Sequence, residues 1–381
     1  MNGALPLDLI GLDRGELKEL LAELGEKPFR VKQLWHWLYH QGACDFESMT
    51  TLGKDLRQLL GKGHLAGRPR IVRDQQSMDG TRKWLLGFDD GNEAEAVHIP
   101  DMDEEGGALC VSTQVGCTLT CRFCHTGTQL LVRNLEAREI LGQFMAARDA
   151  LGEWPTPADG TRKITNLVVM GMGEPLFNYE NLKKALLILM DPEGLGLSRR
   201  RITVSTSGVA PLIPKLGADT GVNLAISLHA VTDDLRGQLM PINKKYPLAQ
   251  LLAACRDYPG LSNARRITFE YLLLKGLNDS LADAKELLRL TRDIPAKFNL
   301  IPFNPWPGAP YETPALDKVK RFSDFLFEQG VSAPIRRPRG QDILAACGQL
   351  RSESQRQRQS LAKARQAAGI DDDDHAPISH N

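Results

Sequence analysis

The chain has 381 residues, of which 42% are hydrophobic and 25% charged, enough for one large domain plus a smaller one. Forty-seven Lys and Arg balance 47 Asp and Glu, so net charge gives no argument for a polyanionic partner, and no apolar run reaches the roughly 18–20 residues of a membrane span. The start of the chain lacks the basic-then-apolar pattern of a secretory signal, and seven irregularly spaced cysteines do not form a secreted disulfide framework, so a reducing cytoplasm is expected.

Residues 1–68 read as a small helical domain. Leu17, Leu20, Leu21 and Leu24 form one apolar face, and Val31, Leu34, Trp35, Leu38 and Tyr39 another, at helical spacing; Trp35 and Trp37 read as core. Residues 69–105 read as a β connector with turns at Asp79-Gly80 and Asp89-Asp90-Gly91. From residue 106 the pattern becomes strand, loop, helix. Predicted strands at 108–113, 164–170, 202–205, 223–228, 267–274 and 298–303 alternate with helices at 135–150, 181–190, 210–216, 248–258, 281–291 and 318–329. Strands this apolar imply burial on both faces, as in a parallel sheet. The expected fold is α/β, a partial (β/α)6 TIM-like barrel over 106–350 whose post-strand loops carry the chemistry. The tail, 351–381, is polar and reads as disordered; Asp371–Asp374 with His375 make only a weak metal signal.

The chemistry-bearing motif is Cys117-Thr-Leu-Thr-Cys121-Arg-Phe-Cys124, directly after the first barrel strand. Three thiolates on one tight loop can hold three corners of a [4Fe–4S] cluster, leaving one iron open to an outside ligand. Two other readings compete. His125 could complete a zinc site, but zinc ribbons spread their ligands over two pairs and no second pair is present. Cys121-Arg-Phe-Cys124-His125 matches a haem-attachment pattern, which belongs to exported proteins. Gly116, Thr118 and Thr120 offer little apolar packing, so simple core cysteines do not fit.

Other strand ends carry small or polar groups. Gly171-Met-Gly173-Glu174-Pro175 follows the second strand, where glycine lets backbone approach a ligand and a carboxylate can accept from an ammonium. Ser205, then Ser227-Leu228-His229, then Asn304 follow later strands. His229 alone could equally be a structural histidine. Cys44 and Cys255 lie in helix-like contexts and read as buried fillers; Cys110 and Cys347 admit the same reading, although Gly348 suggests a turn at Cys347. Arg199–Arg201, Lys244-Lys245, Arg265-Arg266 and Arg336-Arg337-Pro-Arg339 are either solvated loop ends or a phosphate-contacting rim.

The cysteine spacing and the Gly-Glu-Pro segment resemble those of radical S-adenosylmethionine (SAM) enzymes. The segments Cys110-Val-Ser-Thr-Gln-Val-Gly-Cys117, Gly171–Leu176, Ser227-Leu-His-Ala230, Leu239-Met-Pro-Ile-Asn243 and Ala345-Ala-Cys-Gly-Gln-Leu350 resemble the RlmN/Cfr family of radical SAM RNA methyltransferases. That resemblance implies one [4Fe–4S] cluster on Cys117, Cys121 and Cys124. It implies two SAM per turnover, with Gly173, Glu174, Ser205, Ser227, Leu228, His229 and Asn304 in contact. It also implies that Cys347 carries a methyl group, that Cys110 resolves it through a disulfide, and that Glu95 accepts a proton. The implied substrates are 23S rRNA (A2503) and tRNA (A37), methylated at adenine C2, with a flavodoxin-type reductant, a monomeric state and no membrane. A C8-directed member of the family, or a zinc-stabilised RNA-binding protein without catalysis, are the alternatives.

Overall fold

The computed structural model describes residues 6–101 and 106–352; most of the expected polar tail, from 353 on, lies outside them. In chain order the elements are β1 (Leu7–Asp8), α1 (Arg14–Glu23), α2 (Arg30–Trp35), a π-helical turn (His36–Gln41), α3 (Lys54–Gly63), β2 (His64–Leu65), β3 (Arg70–Gln76), β4 (Arg82–Gly87) and β5 (Glu93–Pro100). Then come β6 (Gly107–Cys110), β7 (Gln114–Val115), β8 (Arg133–Asn134), α4 (Ala137–Leu151), β9 (Asn166–Val169), α5 (Tyr179–Met190), β10 (Ile202–Thr206), α6 (Ile213–Thr220) and β11 (Asn223–Ser227). Last are α7 (Asp233–Leu239), α8 (Leu248–Arg256), β12 (Ile267–Leu273), α9 (Leu281–Thr291), β13 (Ala296–Pro302) and α10 (Leu316–Glu328).

Six parallel strands, in the order β6-β9-β10-β11-β12-β13, form the expected partial barrel. Every residue of β12 is buried, as two covered faces require. Helix starts follow local chemistry: Asp13 with Glu16, and Ser280 with Asp283, form reciprocal caps on α1 and α9. Helix α7 is not among the predicted helices, and of those that are, the bounds differ most at α6. Pro214 is tolerated only in a first turn, so the helix starts at Ile213 and runs to Thr220, while 210–212 form a 3-10 turn.

The connector is not a separate layer. Strands β3, β4 and β5 join β6 antiparallel and make one nine-stranded sheet with the barrel. Its two turns fall where Gly80 and Gly91 were expected to place them, both at positive φ. A second difference is Cys44, which is exposed in a bend. The helix ends at Gly42, where a Cβ would lie 2.3 Å from the Trp154 ring, so Cys44 falls beyond the helical face. Cys255 is buried in α8.

The N-terminal helices are anchored on the barrel. Trp35 and Tyr39 are buried, with rings 4.5 Å apart, and Trp37 is only partly buried. A Cβ on Gly194 would lie 2.8 Å from Trp35 Nε1, and Arg14 pairs with Asp191 at 2.8 Å. Trp35→Ala should therefore cost about 3–5 kcal/mol, the range for deleting a large buried ring. Urea unfolding monitored by circular dichroism checks this; a cost below about 1 kcal/mol would show that the contact does not hold the two parts together.

Candidate active site

At the C-terminal ends of the parallel strands a cavity encloses ≈ 980 Å³ of empty space, its open mouth included. Cys117, Cys121, Cys124, Gly173, Glu174, Ser205, Ser227, His229 and Cys347 all line it. Motifs more than 200 residues apart meet there because parallel strands direct all their following loops to one end.

The cysteine loop leaves β7 and returns through β8, which pair antiparallel. Burial comes first in pushing all three thiols above their ordinary values, Cys117 to about 12, and neighbouring cysteine charge adds to it at Cys117 and Cys121. Three thiolates confined together in this way fit a cationic iron–sulfur group that offsets their charge. The Leu119 N–H also points to Cys117 Sγ at 3.3 Å. Among the described residues no three Cys, His, Asp or Glu gather as a single ion requires, whereas a cubane takes each sulfur on a different iron. The loop is less polar in place than its sequence suggests. Leu119 and Cys121 are buried in a satellite apolar cluster with Leu239, Met240, Leu272 and Phe303.

His125 does not serve the thiols. Its ring stacks on Trp306 at 4.8 Å. Nδ1 lies 3.3 Å from the Gln349 carbonyl and Nε2 3.3 Å from Arg351 Nη1. Arg351 can only donate, so Nε2 accepts and Nδ1–H donates. The zinc reading thus lacks its fourth ligand.

Glu174 is buried and accepts from Thr206 Oγ1 and Ser207 N, both at 2.7 Å, and from Leu176 N at 3.1 Å. Burial nevertheless outweighs these bonds and raises its pKa. Gly173 has φ +99°, and a Cβ there would sit 2.6 Å from the Gln114 side chain; this turn needs glycine. His229 also has positive φ. Its Nδ1 accepts from Leu272 N at 3.0 Å, which puts the proton of the neutral ring on Nε2. Burial, with Arg236 nearby, lowers its pKa to about 3. Phe123 of the cysteine loop packs edge-on against it at 4.7 Å.

Leu228 and Asn304 do not line the cavity. The Leu228 side chain is in the core, and Asn304 Nδ2 donates to the Cys347 carbonyl at 3.3 Å. Cys110 is buried at the end of β6, and burial, with Cys347 adding, raises its thiol to about 12. Cys347 is accessible but enclosed by the cavity walls. Burial first and Glu270 second push its thiol up. Both thiols are free in this structure.

Glu95 lines an adjoining cleft together with Lys83, His125 and Arg351. Lys83 Nζ lies 2.9 Å from Glu95 Oε1, both side chains buried, and Arg351 N donates to Glu95 Oε2 at 2.8 Å. Burial raises the Glu95 pKa against the pull of Lys83. Lys83 also donates to the Leu344 carbonyl, so this buried pair fastens both ends of the segment bearing Cys347.

Two residues escape motif spacing. Glu270 is an acid in the apolar strand Ile-Thr-Phe-Glu-Tyr-Leu-Leu, and that interruption was its signal; it lines the cavity and accepts from Asn299 Nδ2 at 2.8 Å. Arg236 is fully buried and donates to the carbonyls of Ser207, Ser227 and Leu228 and to Asn243 Oδ1. The four basic groups do not form one common rim. Arg199–Arg201 and Arg265-Arg266 precede β10 and β12 at the opposite end from the cavity.

Residues 7–64 match the family described as ribosomal RNA large subunit methyltransferase N-terminal domain, and residues 111–290 match the radical SAM superfamily. A protein of Rhodospirillum rubrum named dual-specificity RNA methyltransferase RlmN is 65% identical over 374 residues, 98% of this chain and 87% of its own length. Its namesake in Gluconobacter oxydans is 60% identical over 354 residues, 93% of this chain and 87% of its own length. The crystal structure of a radical SAM methyltransferase from Sphaerobacter thermophilus superposes with a TM-score of 0.83 at 45% identity, covering 91% of this chain and 99% of that one.

Arg236→Ala would take their donor from the Ser207 and Ser227 carbonyls and from Asn243 Oδ1, each worth about 1–3 kcal/mol, while the Leu228 carbonyl keeps Ala230 N. The variant should lose at least about 3 kcal/mol of stability and bind SAM poorly, as urea unfolding and equilibrium dialysis will show. Wild-type stability would mean that the loops are held by other contacts.

Proposed function

This chain belongs to the RlmN family of radical SAM methyltransferases, which act on rRNA and tRNA, and on that premise we propose that it methylates adenine C2, at A2503 of 23S rRNA and A37 of tRNA, by way of a methyl group carried on Cys347. The observation that carries this reading is the shared cavity, in which Cys347 and the three-cysteine loop line one space with Glu174, Ser205, Ser227 and His229. C2 lies between two ring nitrogens and is too electron-poor to attack a sulfonium methyl, so the carbon delivered to it has to be activated first.

Cys117, Cys121 and Cys124 would hold one [4Fe–4S] cluster. When bound, the cluster with SAM supplies a one-electron cleavage of the sulfonium, and hence a radical able to take hydrogen from a methyl group on sulfur. The remaining steps belong to the protein. Cys347 as thiolate takes the methyl of a first SAM. Its accessible position under the Asn304 amide and beside Gly348 presents that methyl to the cavity. The apolar cluster around Leu119 and Phe303 keeps water from the reactive carbon. Glu174 accepts from the SAM ammonium. His229 Nε2–H and the Ser205 and Ser227 hydroxyls face the rest of the ligand.

Glu95 takes the C2 proton once the base enters the cleft it lines, and burial, by raising its pKa, makes its carboxylate a stronger base. Lys83 keeps the carboxylate ionised until then. Cys110 as thiolate attacks the Cys347 sulfur, and an S–S bond forms as the bond from that sulfur to the new carbon breaks; the carbon leaves with the electron pair and takes a proton to become the methyl group, and an external dithiol reductant reopens the disulfide before the next turnover. The N-terminal helices grip folded RNA by shape and phosphate. A flavodoxin-type protein is the electron donor, and the chain works as a cytoplasmic monomer; among the described residues no helix is long and apolar enough to cross a membrane.

Cys347→Ala should abolish methyl transfer to RNA while keeping the brown colour and SAM cleavage of the reconstituted protein; retained RNA methylation would remove Cys347 from the route. Cys110→Ala should accumulate protein crosslinked to RNA, visible as a slow band on denaturing gels that ribonuclease collapses. Normal turnover without that band would contradict release by Cys110.

A further inference from the structure

The end of the barrel opposite the catalytic cavity carries a second concave site. Parallel strands collect their preceding loops there, and those loops are basic. Arg199 and Arg200 lead into β10, Arg265 and Arg266 into β12, and Lys297 is the second residue of β13. These five cations line one cleft with ≈ 1270 Å³ of empty space, its open mouth included, and no acidic side chain lines it. Thr203, Asn223, Ser262 and Thr268 add neutral polar groups to its lining.

The cations are not consumed by the protein. Arg265 Nη2 donates to the Gly221 and Val222 carbonyls, both at 2.7 Å, which fixes that guanidinium. The side chains of Arg199, Arg200, Arg266 and Lys297 make no hydrogen bond or ion pair among the described residues. The acid that Lys297 faces is Glu270, two residues further along the barrel interior, and its carboxylate lines the catalytic cavity and is bound by Asn299. Several arginines elsewhere are matched by acids, as with Arg14, Arg82, Arg133 and Arg138. Five like charges around one concavity repel unless an anion lies among them, and forked guanidinium groups suit phosphate oxygens.

The geometry points to a phosphate-binding site at the N-terminal mouth of the barrel, serving either a phosphodiester of the substrate RNA or a free phosphorylated small molecule. The strands are 4–7 residues long, so this mouth lies roughly 15–25 Å from the catalytic one. A folded RNA spans that distance. The assignment of RNA as the source rests on the RNA-methylating reading; the phosphate site itself does not.

The test compares the full chain with its R200Q/R266Q/K297Q variant, whose altered side chains make no hydrogen bond that the fold would lose. Inorganic pyrophosphate is titrated calorimetrically at low salt, and tRNA affinity is measured against potassium chloride concentration. The expected result is at least a tenfold loss of pyrophosphate affinity in the variant. If RNA is the source, tRNA affinity also falls and the slope of log affinity against log salt drops by about 2–3, near 0.7–0.9 for each phosphate contact removed. Loss of pyrophosphate binding with unchanged tRNA affinity supports the site with a small-molecule occupant. A wild-type chain that binds no pyrophosphate, together with an unchanged tRNA salt slope in the variant, overturns the proposal. Should the triple variant fail to fold, Arg266→Gln alone gives the same readings in smaller measure. Methyl transfer to a short RNA hairpin, followed in parallel, separates failure of this site from failure of the catalytic reading.

Discussion

One guanidinium without solvent contact holds the reactive end of the barrel together. Arg236 reaches from α7 into the loops after β10 and β11 and gives its donors to the carbonyls of Ser207, Ser227 and Leu228. Those loops carry Ser207 and His229 of the cavity. Asn243 closes the other side of the fork and is itself tied to Asp233. Burying an arginine this deeply is costly unless its donors are matched, and burial does pull its pKa down to about 10. The cost is offset because loop carbonyls beyond the strand ladder need donors too. One side chain therefore sets the spacing of two strand ends, and with it the shape of the cavity.

The Cys347 segment is built on the opposite principle. It has little regular structure, and Leu344 and Gly348 both adopt positive φ. It is positioned by contacts at many points. Arg339 and Gly340 bind Asp79, Lys83 and Glu95 fasten Leu344 and Arg351, and His125 N and Thr126 Oγ1 donate to the carbonyls of Gly348 and Leu350. The cysteine loop and the antiparallel strands thus both brace the residue that faces the cavity. A segment held by side-chain clamps can open without disturbing the barrel core, which suits the role proposed for Cys347, meeting a cofactor and then an RNA base.

Much of this was legible in the chain because it depends on local pattern. Six apolar runs at helix-separated intervals specify parallel strands, and the three-cysteine spacing specifies a loop. Placing that loop and the Gly171–Leu176 turn after successive strands puts them at one mouth. What escaped depends on partners distant in sequence. Strand periodicity cannot say that β5 pairs with β6, so the connector read as separate. Glu95 read as an acid in a strand, and only the hairpin brings Lys83 against it. Asn304 looked like a cavity residue because it follows a strand, but its amide is turned to the Cys347 backbone. Cys44 missed for a shorter-range reason: the helix stops at Gly42 under Trp154, two residues before it.

The central claim is that Cys347 carries the carbon that reaches RNA. Its most direct test is peptide mass mapping after anaerobic incubation with SAM bearing a deuterated methyl group, followed by addition of unlabelled SAM and RNA. The account predicts labelled methyl on the Cys347 peptide alone, lost on turnover as labelled carbon appears in the product adenine. Labelled RNA formed while the Cys347 peptide never carries the label would contradict it.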